Sequence, residues 1–317
     1  MSKIRLAVVG AGAFGRNHMR VVRESGRAEL AAVVDTDSAR AREAAGQFGC
    51  AALDLADLPG RVDAAVVAVP TVAHCEVGCA LLEAGLDVLV EKPIAPDLAS
   101  ARRLIETARA HSRVLQVGHL ERFNPAVAAL REMVKLPLFF EIHRMSVFTP
   151  RSLDVDVVLD LMIHDLDIVL SLVGQPPEEI RAAGISILSP KVDIANVRLA
   201  FPAGCIANLT ASRVSTERVR KLRLFQPRQY VSLDYARQEA AVFEVGENRQ
   251  IGFRMLPVAK AEPLRLELEA FCEAVETRGK PLVTGEEAYA ALEAALAILD
   301  KIEEHSRRVE QSLAAWM

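Results

Sequence analysis

Ile4-Arg5-Leu6-Ala7-Val8-Val9, followed by Gly10-Ala11-Gly12-Ala13-Phe14-Gly15, is the stretch that decides the fold. Its first part is an almost unbroken apolar run. A strand buried on both faces of a parallel sheet reads this way, whereas a half-exposed strand alternates. The second part is a full G-x-G-x-x-G. Glycines at that spacing allow a tight turn, close approach of backbone to a pyrophosphate, and close packing of the next helix on the strand. The helix N-terminus then offers unpaired N–H groups and a positive dipole end to phosphate. A glycine hexamer alone is weak, since it also serves as a plain turn. Set between a buried strand and a helix, it marks a dinucleotide site. Gly10, Gly12, Ala13, Phe14 and Gly15 are therefore candidate cofactor contacts. Asp35 lies 20 residues past Gly15, at the end of the second apolar run. A carboxylate there accepts hydrogen bonds from the adenosine ribose hydroxyls. It also repels a 2′-phosphate, which favours NAD over NADP, although Arg40 nearby works against that preference.

Working outward, apolar runs recur at Leu30–Val34, Val62–Val69, Val88–Val90 and Val114–Val117. Helix-like segments lie between them, at Ser38–Phe48, Val72–Glu83 and Leu98–Ala110. This rhythm predicts an α/β, Rossmann-type doubly wound parallel sheet over residues 1–118. After Gly118 the grammar changes. Asn124-Pro125 reads as an N-cap followed by proline at the first helical position. A strand is expected near 136–148, a long helix over 155–172, and further helices at 264–277 and 286–306. From about 178 to 258 the pattern is strand-like, and Ile206-Ala207-Asn208-Leu209-Thr210 alternates. That predicts a large, mostly antiparallel sheet with one open face, in a second α+β domain spanning 119–317 for substrate binding and oligomerisation.

The chain has 317 residues, enough for about two domains. Its 51% apolar and 25% charged content excludes a disordered chain. A net charge of -4 excludes a basic nucleic-acid binder, because no net positive field exists to neutralise phosphates. No apolar run approaches the ~20 residues of a membrane span, and the first residues lack a signal-peptide cleavage pattern. Five cysteines with no Cys-x-x-Cys pair point to reduced thiols in a cytoplasm and away from zinc. The expectation is a cytoplasmic protein with no metal, no nucleic acid and no membrane.

Two further features carry chemistry. Glu91-Lys92-Pro93 closes the fourth apolar run, at the carboxyl edge where such sheets bind ligands. Lys92 there can hold or deprotonate a substrate hydroxyl, or simply precede a proline turn. In the predicted helix at 155–172, Val155, Val158, Leu159, Met162, Ile163, Leu166, Val169 and Leu170 form a core stripe. Asp160, His164 and Asp167 share a second line on the same helix. A carboxylate one turn from a histidine can orient or charge it, or both can grip sugar hydroxyls. An ordinary polar helix face, with Asp165 and Asp167 solvated, also fits. A metal site is a third option, but nothing else supplies ligands at metal spacing.

The fingerprint at Gly10–Gly15, Ala68-Val69-Pro70-Thr71-Val72-Ala73-His74, Glu91-Lys92-Pro93 and Asp160-x-x-x-His164, in this order, resembles the Gfo/Idh/MocA family of NAD(P)-dependent sugar oxidoreductases. The resemblance covers nearly the whole chain. It implies that Lys92 and His164 lie beside the nicotinamide and the reacting hydroxyl, with either as base, and that Asp160 touches substrate or His164. It adds Pro70, Thr71, His74, Glu91, Lys92 and His119 to the cofactor contacts. Gly118-His119-Leu120-Glu121-Arg122-Phe123-Asn124-Pro125 is similar to the subgroup that oxidises the 3-hydroxyl of UDP-N-acetylglucosamine, as is Asp160–Asp167. Polyol and inositol dehydrogenases tend to have small residues where Met162 stands. A UDP-sugar brings a diphosphate that needs arginine forks or helix N-termini. Arg122, Arg144, Arg151, Arg213 and Arg218 are candidates, with Asn124 and Asn208 as readers of amide or hydroxyl groups. The substrate is expected across the open face of the second sheet. Relatives pair through such a sheet, so a homodimer or homotetramer is expected. The alternatives are a dehydrogenase of a free polyol or another sugar, and an NAD-binding regulatory protein without catalysis.

Overall fold

The computed structural model describes residues 3–149 and 155–316. It divides into two compact units, Met1–Phe123 with Ala261–Tyr289, and Asn124–Lys260 with Ala290–Met317.

The first unit holds six strands, β1 (Ile4–Val9), β2 (Ala28–Val34), β3 (Ala51–Ala52), β4 (Ala64–Val67), β5 (Asp87–Glu91) and β6 (Leu115–Gly118). Its helices are α1 (Ala13–Glu24), α2 (Ser38–Phe48), α3 (His74–Glu83), α4 (Leu98–Ala110) and, from far along the chain, α7 (Pro263–Thr277). The strands are all parallel, in the order β3-β2-β1-β4-β5-β6. The order reverses between β1 and β4, so ligands belong at the carboxyl ends of these strands. Burial follows the sequence: every residue of β4 and β5 is buried. Local signals set both ends of α2. The Asp37 carboxylate caps α2 by accepting from the Ala39 and Arg40 N–H groups, and Gly49 ends that helix at φ 68.

The units differ from the expected division at 118/119. Helix α7 carries a stripe of Leu264, Leu268, Phe271 and Cys272, which joins Met19 and Val22 of α1 in the first core. The second domain is therefore not a continuous run, because α7 buries its apolar face on the first sheet's layer. The two-residue β3 was too short to register as an apolar run.

The second unit holds β7 (Phe139–Val147), β8 (Glu179–Ile185), β9 (Ile194–Ala200), β10 (Ile206–Ser215), β11 (Val219–Gln226), β12 (Gln229–Asp234), β13 (Glu239–Val245) and β14 (Ile251–Met255). They form one sheet in the order β14-β13-β12-β11-β7-β10-β9-β8. Among the described strands only β7 and β10 pair in parallel; the other pairs are antiparallel. Alternation works as predicted: Ala207 and Leu209 face the core, while Ile206, Asn208 and Thr210 do not. Helices α5 (Pro125–Met133) and α6 (Ile163–Val173) and the later part of α8 (Gly285–Trp316) cover one face. Phe140, Ile142, Leu222, Leu224, Val231 and Leu233 meet them there. The opposite face carries a ladder of Phe139, Phe225, Tyr230, Phe243 and Phe253, with neighbouring rings 4.7–5.8 Å apart. Phe253 at its end is 62% exposed.

Among the described residues, no helix is long and apolar enough to cross a membrane. All five cysteines are free thiols. Burial pushes Cys205 up to about 11 and Cys272 up to about 12, so neither supplies a thiolate nucleophile at neutral pH.

Candidate active site

The turn after β1 is built by glycine. Gly10 sits at φ +104, and a Cβ on it would lie 2.5 Å from the Ala68 carbonyl oxygen. A Cβ on Gly15 would lie 1.8 Å from the Gly10 carbonyl oxygen, so α1 and β1 pack at a distance only glycine permits. Gly12 is the N-cap of α1, has no side-chain cap, and has nothing within 4 Å of where its Cβ would be. Open space at an uncapped helix N-terminus fits a pyrophosphate. Ala13 and the 42% exposed Phe14 open the first turn beside it.

Asp35 follows β2. One of its oxygens accepts from the Ala11 N–H at 2.8 Å and the other from the Asp37 N–H at 2.8 Å. A carboxylate has about four acceptor sites, so both oxygens can still accept from ribose hydroxyls. Arg40 stands 3.5 Å from Asp35 and also approaches Asp37. Its charge is thus shared between two carboxylates, which weakens it as a 2′-phosphate ligand.

Pro70 and Thr71 begin the turn after β4, at the same carboxyl edge. His74 is different. Its buried ring contacts the Pro93 carbonyl at 2.9 Å and the Val69 carbonyl at 3.0 Å. Burial holds its pKa below the usual value. The imidazole therefore ties two loops together behind the edge, and the expected direct cofactor contact is not where its ring nitrogens point.

Lys92 is half-buried at the end of β5, and its peptide bond to Pro93 is cis. Glu91 turns the other way. Its carboxylate accepts from His18 Nε2 at 2.7 Å and from the Lys92 N–H at 3.3 Å. Both contacts draw Glu91 inward, away from its expected role as a cofactor ligand. Gly118 makes room for it, since a Cβ there would stand 3.1 Å from both Glu91 oxygens. His119 follows β6 and is buried. Burial, with the Lys92 and Arg122 charges, pushes it down to about 3, so it is neutral at physiological pH.

In the second unit, α6 enters through a π-helical turn, Val158–Met162, with the Ile163 N–H bonded to the Val158 carbonyl. Asp160 lies inside this turn and His164 just after it, both half-buried. The wider turn breaks the regular periodicity that put Asp160, His164 and Asp167 on one line; such turns recur at functional sites. Asp165 and Asp167 are buried, not solvated. Asp165 takes a bidentate fork from Arg144, at 2.7 and 2.8 Å, and the guanidinium lies 5.0 Å from the Tyr235 ring centre.

That arrangement redirects the arginines expected to grip a diphosphate. Arg144 is spent on Asp165 and Tyr235. Arg213 is buried, 3.7 Å from Asp193 and bonded to the Val155 carbonyl. Arg122, in the first unit, is buried against Glu287 and the Leu282 carbonyl, each at 3.3 Å. Asn124 caps α5 through Ala126 N–H and donates to the Tyr235 carbonyl at 3.0 Å. These four side chains shape the units from within. Arg218 is exposed between β10 and β11, and Asn208 accepts from Arg198 at 3.2 Å on the exposed face of the sheet. Arg151 lies outside the described residues. Asp160 and His164 belong to the helical layer on the covered face, so the open face does not carry them.

Sequence reasoning missed His18 and Glu267. Each occupies a core-facing position of an amphipathic helix, His18 beside Met19 and Val22, Glu267 beside Leu264, Leu268 and Phe271. A titratable residue inside an apolar stripe is the signal that could have found them.

Comparison with known proteins agrees with this architecture. Residues 4–119 match the family model described as oxidoreductase family, NAD-binding Rossmann fold, and residues 139–228 match the GFO/IDH/MocA C-terminal domain. The chain is 34% identical to a UDP-N-acetylglucosamine 3-dehydrogenase of Acidithiobacillus ferrooxidans, over 97% of this chain and 100% of that one. A solved structure of that enzyme superposes with a TM-score of 0.90, covering 96% of this chain and 99% of that one. An inositol 2-dehydrogenase of Corynebacterium glutamicum (strain R) is 32% identical over 60% of this chain and 59% of its own. A crystal structure of an oxidoreductase from Agrobacterium radiobacter with NAD+, L-tartaric acid and magnesium shares the fold at 18% identity, with a TM-score of 0.84 over 95% and 97% of the two chains. The chain belongs to the Gfo/Idh/MocA family of oxidoreductases, with an NAD-binding Rossmann domain.

Proposed function

We propose that this chain oxidises the 3-hydroxyl of UDP-N-acetylglucosamine, or a close UDP-N-acetyl-hexosamine, to the 3-ketone, with NAD as the cofactor. The observation that carries this reading is the reach of the similarity. Sequence likeness to the UDP-N-acetylglucosamine 3-dehydrogenase runs through 97% of the chain at 34% identity, whereas the alignment to the Corynebacterium inositol 2-dehydrogenase covers 60% at 32%. The carboxylate of Asp35, with Arg40 drawn onto Asp35 and Asp37, supports NAD over NADP.

In this reading the bound nicotinamide supplies the hydride acceptor. Gly12 and the first turn of α1 hold the pyrophosphate, and Asp35 holds the adenosine ribose. His164 receives the proton of the reacting hydroxyl, with Asp160 orienting its ring. Lys92 hydrogen-bonds the oxygen as it becomes an alkoxide, the point where preorganised donors contribute most. His119, kept neutral by its surroundings, adds no charge beside Lys92. Two or more copies assemble through the aromatic ladder of the second sheet. Phe243→Asp should then convert the assembly to monomer in a sedimentation experiment.

The test is NADH formation from NAD and UDP-N-acetylglucosamine, with hydrazine to trap the ketone and mass spectrometry to place it. N-acetylglucosamine and myo-inositol run alongside. Turnover confined to the nucleotide sugar supports the reading, and turnover of the free sugar or polyol overturns the substrate. Lys92→Met and His164→Ala should each lower turnover by about a hundredfold or more, in the range general acid–base groups contribute, with NADH affinity kept. Near-normal turnover in both removes the assignment of these residues.

A further inference from the structure

His18, Glu91 and Glu267 form a buried cluster in the first unit, their ligand atoms all within 4.8 Å of one another. The three come from α1, β5 and α7. His18 Nε2 donates to Glu91 at 2.7 Å, and the other Glu91 oxygen accepts from the backbone N–H of Lys92. Both Glu267 oxygens lack a hydrogen-bond partner among the described residues, and the side chain is fully buried. Gln116 reaches toward the same place, its amide donating to the Glu267 backbone carbonyl at 3.0 Å.

Two carboxylates and an imidazole are also the ligand types of a divalent metal. The geometry argues otherwise. His18 and Glu91 are already bonded to each other directly, and the Nε2 facing Glu91 carries the proton it donates, so that nitrogen has no lone pair for an ion. A metal would have to open that bond. Two ionised carboxylates without an ion would put uncompensated charge in an apolar core, which is very costly. One ionised carboxylate, that of Glu91, facing His18, with Glu267 as the protonated acid, removes the conflict. Burial and the Glu91 charge both push Glu267 well above the usual carboxyl range.

The placement of this cluster gives it a use. His18 stands three residues past Gly15, on the face of the helix whose N-terminus forms the phosphate cradle. Glu91 is bonded to the backbone of the residue that carries the proposed active amine. We infer that the His18–Glu91 hydrogen bond is a positioning link, through which seating a dinucleotide on α1 sets the placement of Lys92. His18 and Glu91 act through Lys92 and touch no reacting atom. The inference rests on the reading of Lys92 given above.

The experiment uses purified full-length protein and the variants His18→Leu and His18→Gln. Glutamine keeps an N–H donor near the Nε2 position; leucine removes it. One arm measures kcat and KM for NAD and UDP-N-acetylglucosamine. The second is independent of turnover. It follows labelling of Lys92 by reductive dimethylation with peptide mass spectrometry, with and without NADH, alongside NADH affinity by fluorescence. The link predicts that NADH changes Lys92 labelling in the wild type. In His18→Leu that NADH dependence disappears and kcat falls about tenfold or more, in line with loss of a hydrogen bond to a charged group. Both KM values should stay within about threefold, and His18→Gln should restore most of both effects. A folded His18→Leu protein with wild-type kcat and NADH-dependent labelling overturns the link. One equivalent of divalent metal in the purified protein, lost in His18→Leu, overturns it too. If the wild type is inactive on the nucleotide sugar, the labelling arm still decides the link, so the two readings fail separately.

Discussion

The Arg144–Asp165 pair sets up a direct contest between two roles for one arginine. Arg144 is 2% exposed and engages both oxygens of Asp165 at 2.7 and 2.8 Å. Tyr235 stacks against the same guanidinium at 5.0 Å. Arg144→Met keeps the length and apolar stem but leaves the Asp165 carboxylate buried without its counter-charge. Breaking one partner of a buried pair costs about 3–5 kcal/mol. Loss of the cation–π contact adds about 1 kcal/mol. Asp165→Leu should cost a similar amount from the other side. The double variant replaces both charges with apolar groups and should recover most of the loss, because a buried pair and a well-packed apolar substitute are close in energy. Urea denaturation of the four proteins gives the cycle, with a coupling energy of about 5 kcal/mol or more expected, because the two single losses sum to far more than that of the double variant. The same variants are assayed for KM with UDP-N-acetylglucosamine. A stability loss under about 1 kcal/mol for Arg144→Met, together with a tenfold rise in KM, would refute the argument. Arg144 would then be reading the diphosphate after all.

The glycine cradle predicts that Gly15→Ala weakens NADH binding by about a hundredfold or more, measured by calorimetry, because its Cβ meets backbone 1.8 Å away and no rotamer relieves that. His119 and Glu267 predict opposite pH dependences of stability. The native His119 sits at about 3, below its unfolded value near 6.5, so the unfolded chain binds the extra proton and stability falls as pH drops between them. Removing that term with His119→Asn should gain the variant about 2 kcal/mol relative to wild type between pH 6.5 and 5, read by urea denaturation. Glu267 is raised in the native state, so its contribution is present below the unfolded value and is lost as pH rises. Glu267→Gln should therefore gain on the wild type from pH 5 to 8, and a stability difference that stays flat over that range would show that Glu267 is ionised in the native protein.

How far the sequence carried the fold depends on how local each signal is. Gly10–Gly15 before α1 and Asn124-Pro125 at the start of α5 act within a few residues, and each helix begins where these signals place it. Continuous apolar runs gave the parallel sheet, and the alternation at 206–210 gave the sided antiparallel one. Two features escaped. Pairing of Ala51–Ala52 with β2 is a property of the neighbour, since two alanines have no periodicity of their own. The return of α7 to the first core depends on which layer had an uncovered face, and its amphipathic stripe is equally compatible with either unit.

The candidate site divides along the same physical line. Glycines, Asp35 and Lys92 stand at strand ends, where topology alone brings them to one edge, so spacing sufficed to predict their placement there. The arginines did not follow, because whether an arginine meets a ligand or an internal carboxylate is settled by a partner elsewhere in the chain. Arg144 answers Asp165 from 21 residues away, and Arg122 answers Glu287 from 165 residues away. Neither partner can be read from the arginine's own neighbourhood. The better clue lay on the acidic side. Asp165 and Glu267 both occupy core-facing helical positions, and a buried carboxylate must find a cation, a donor or a proton. Asp165 finds Arg144. Glu267 faces Glu91, which His18 already occupies, so the proton is what remains for it. A net charge of -4 in the whole chain is thus compatible with anion binding at the carboxyl edge, where the open N-terminus of α1 and the Lys92 amine offer a local positive field.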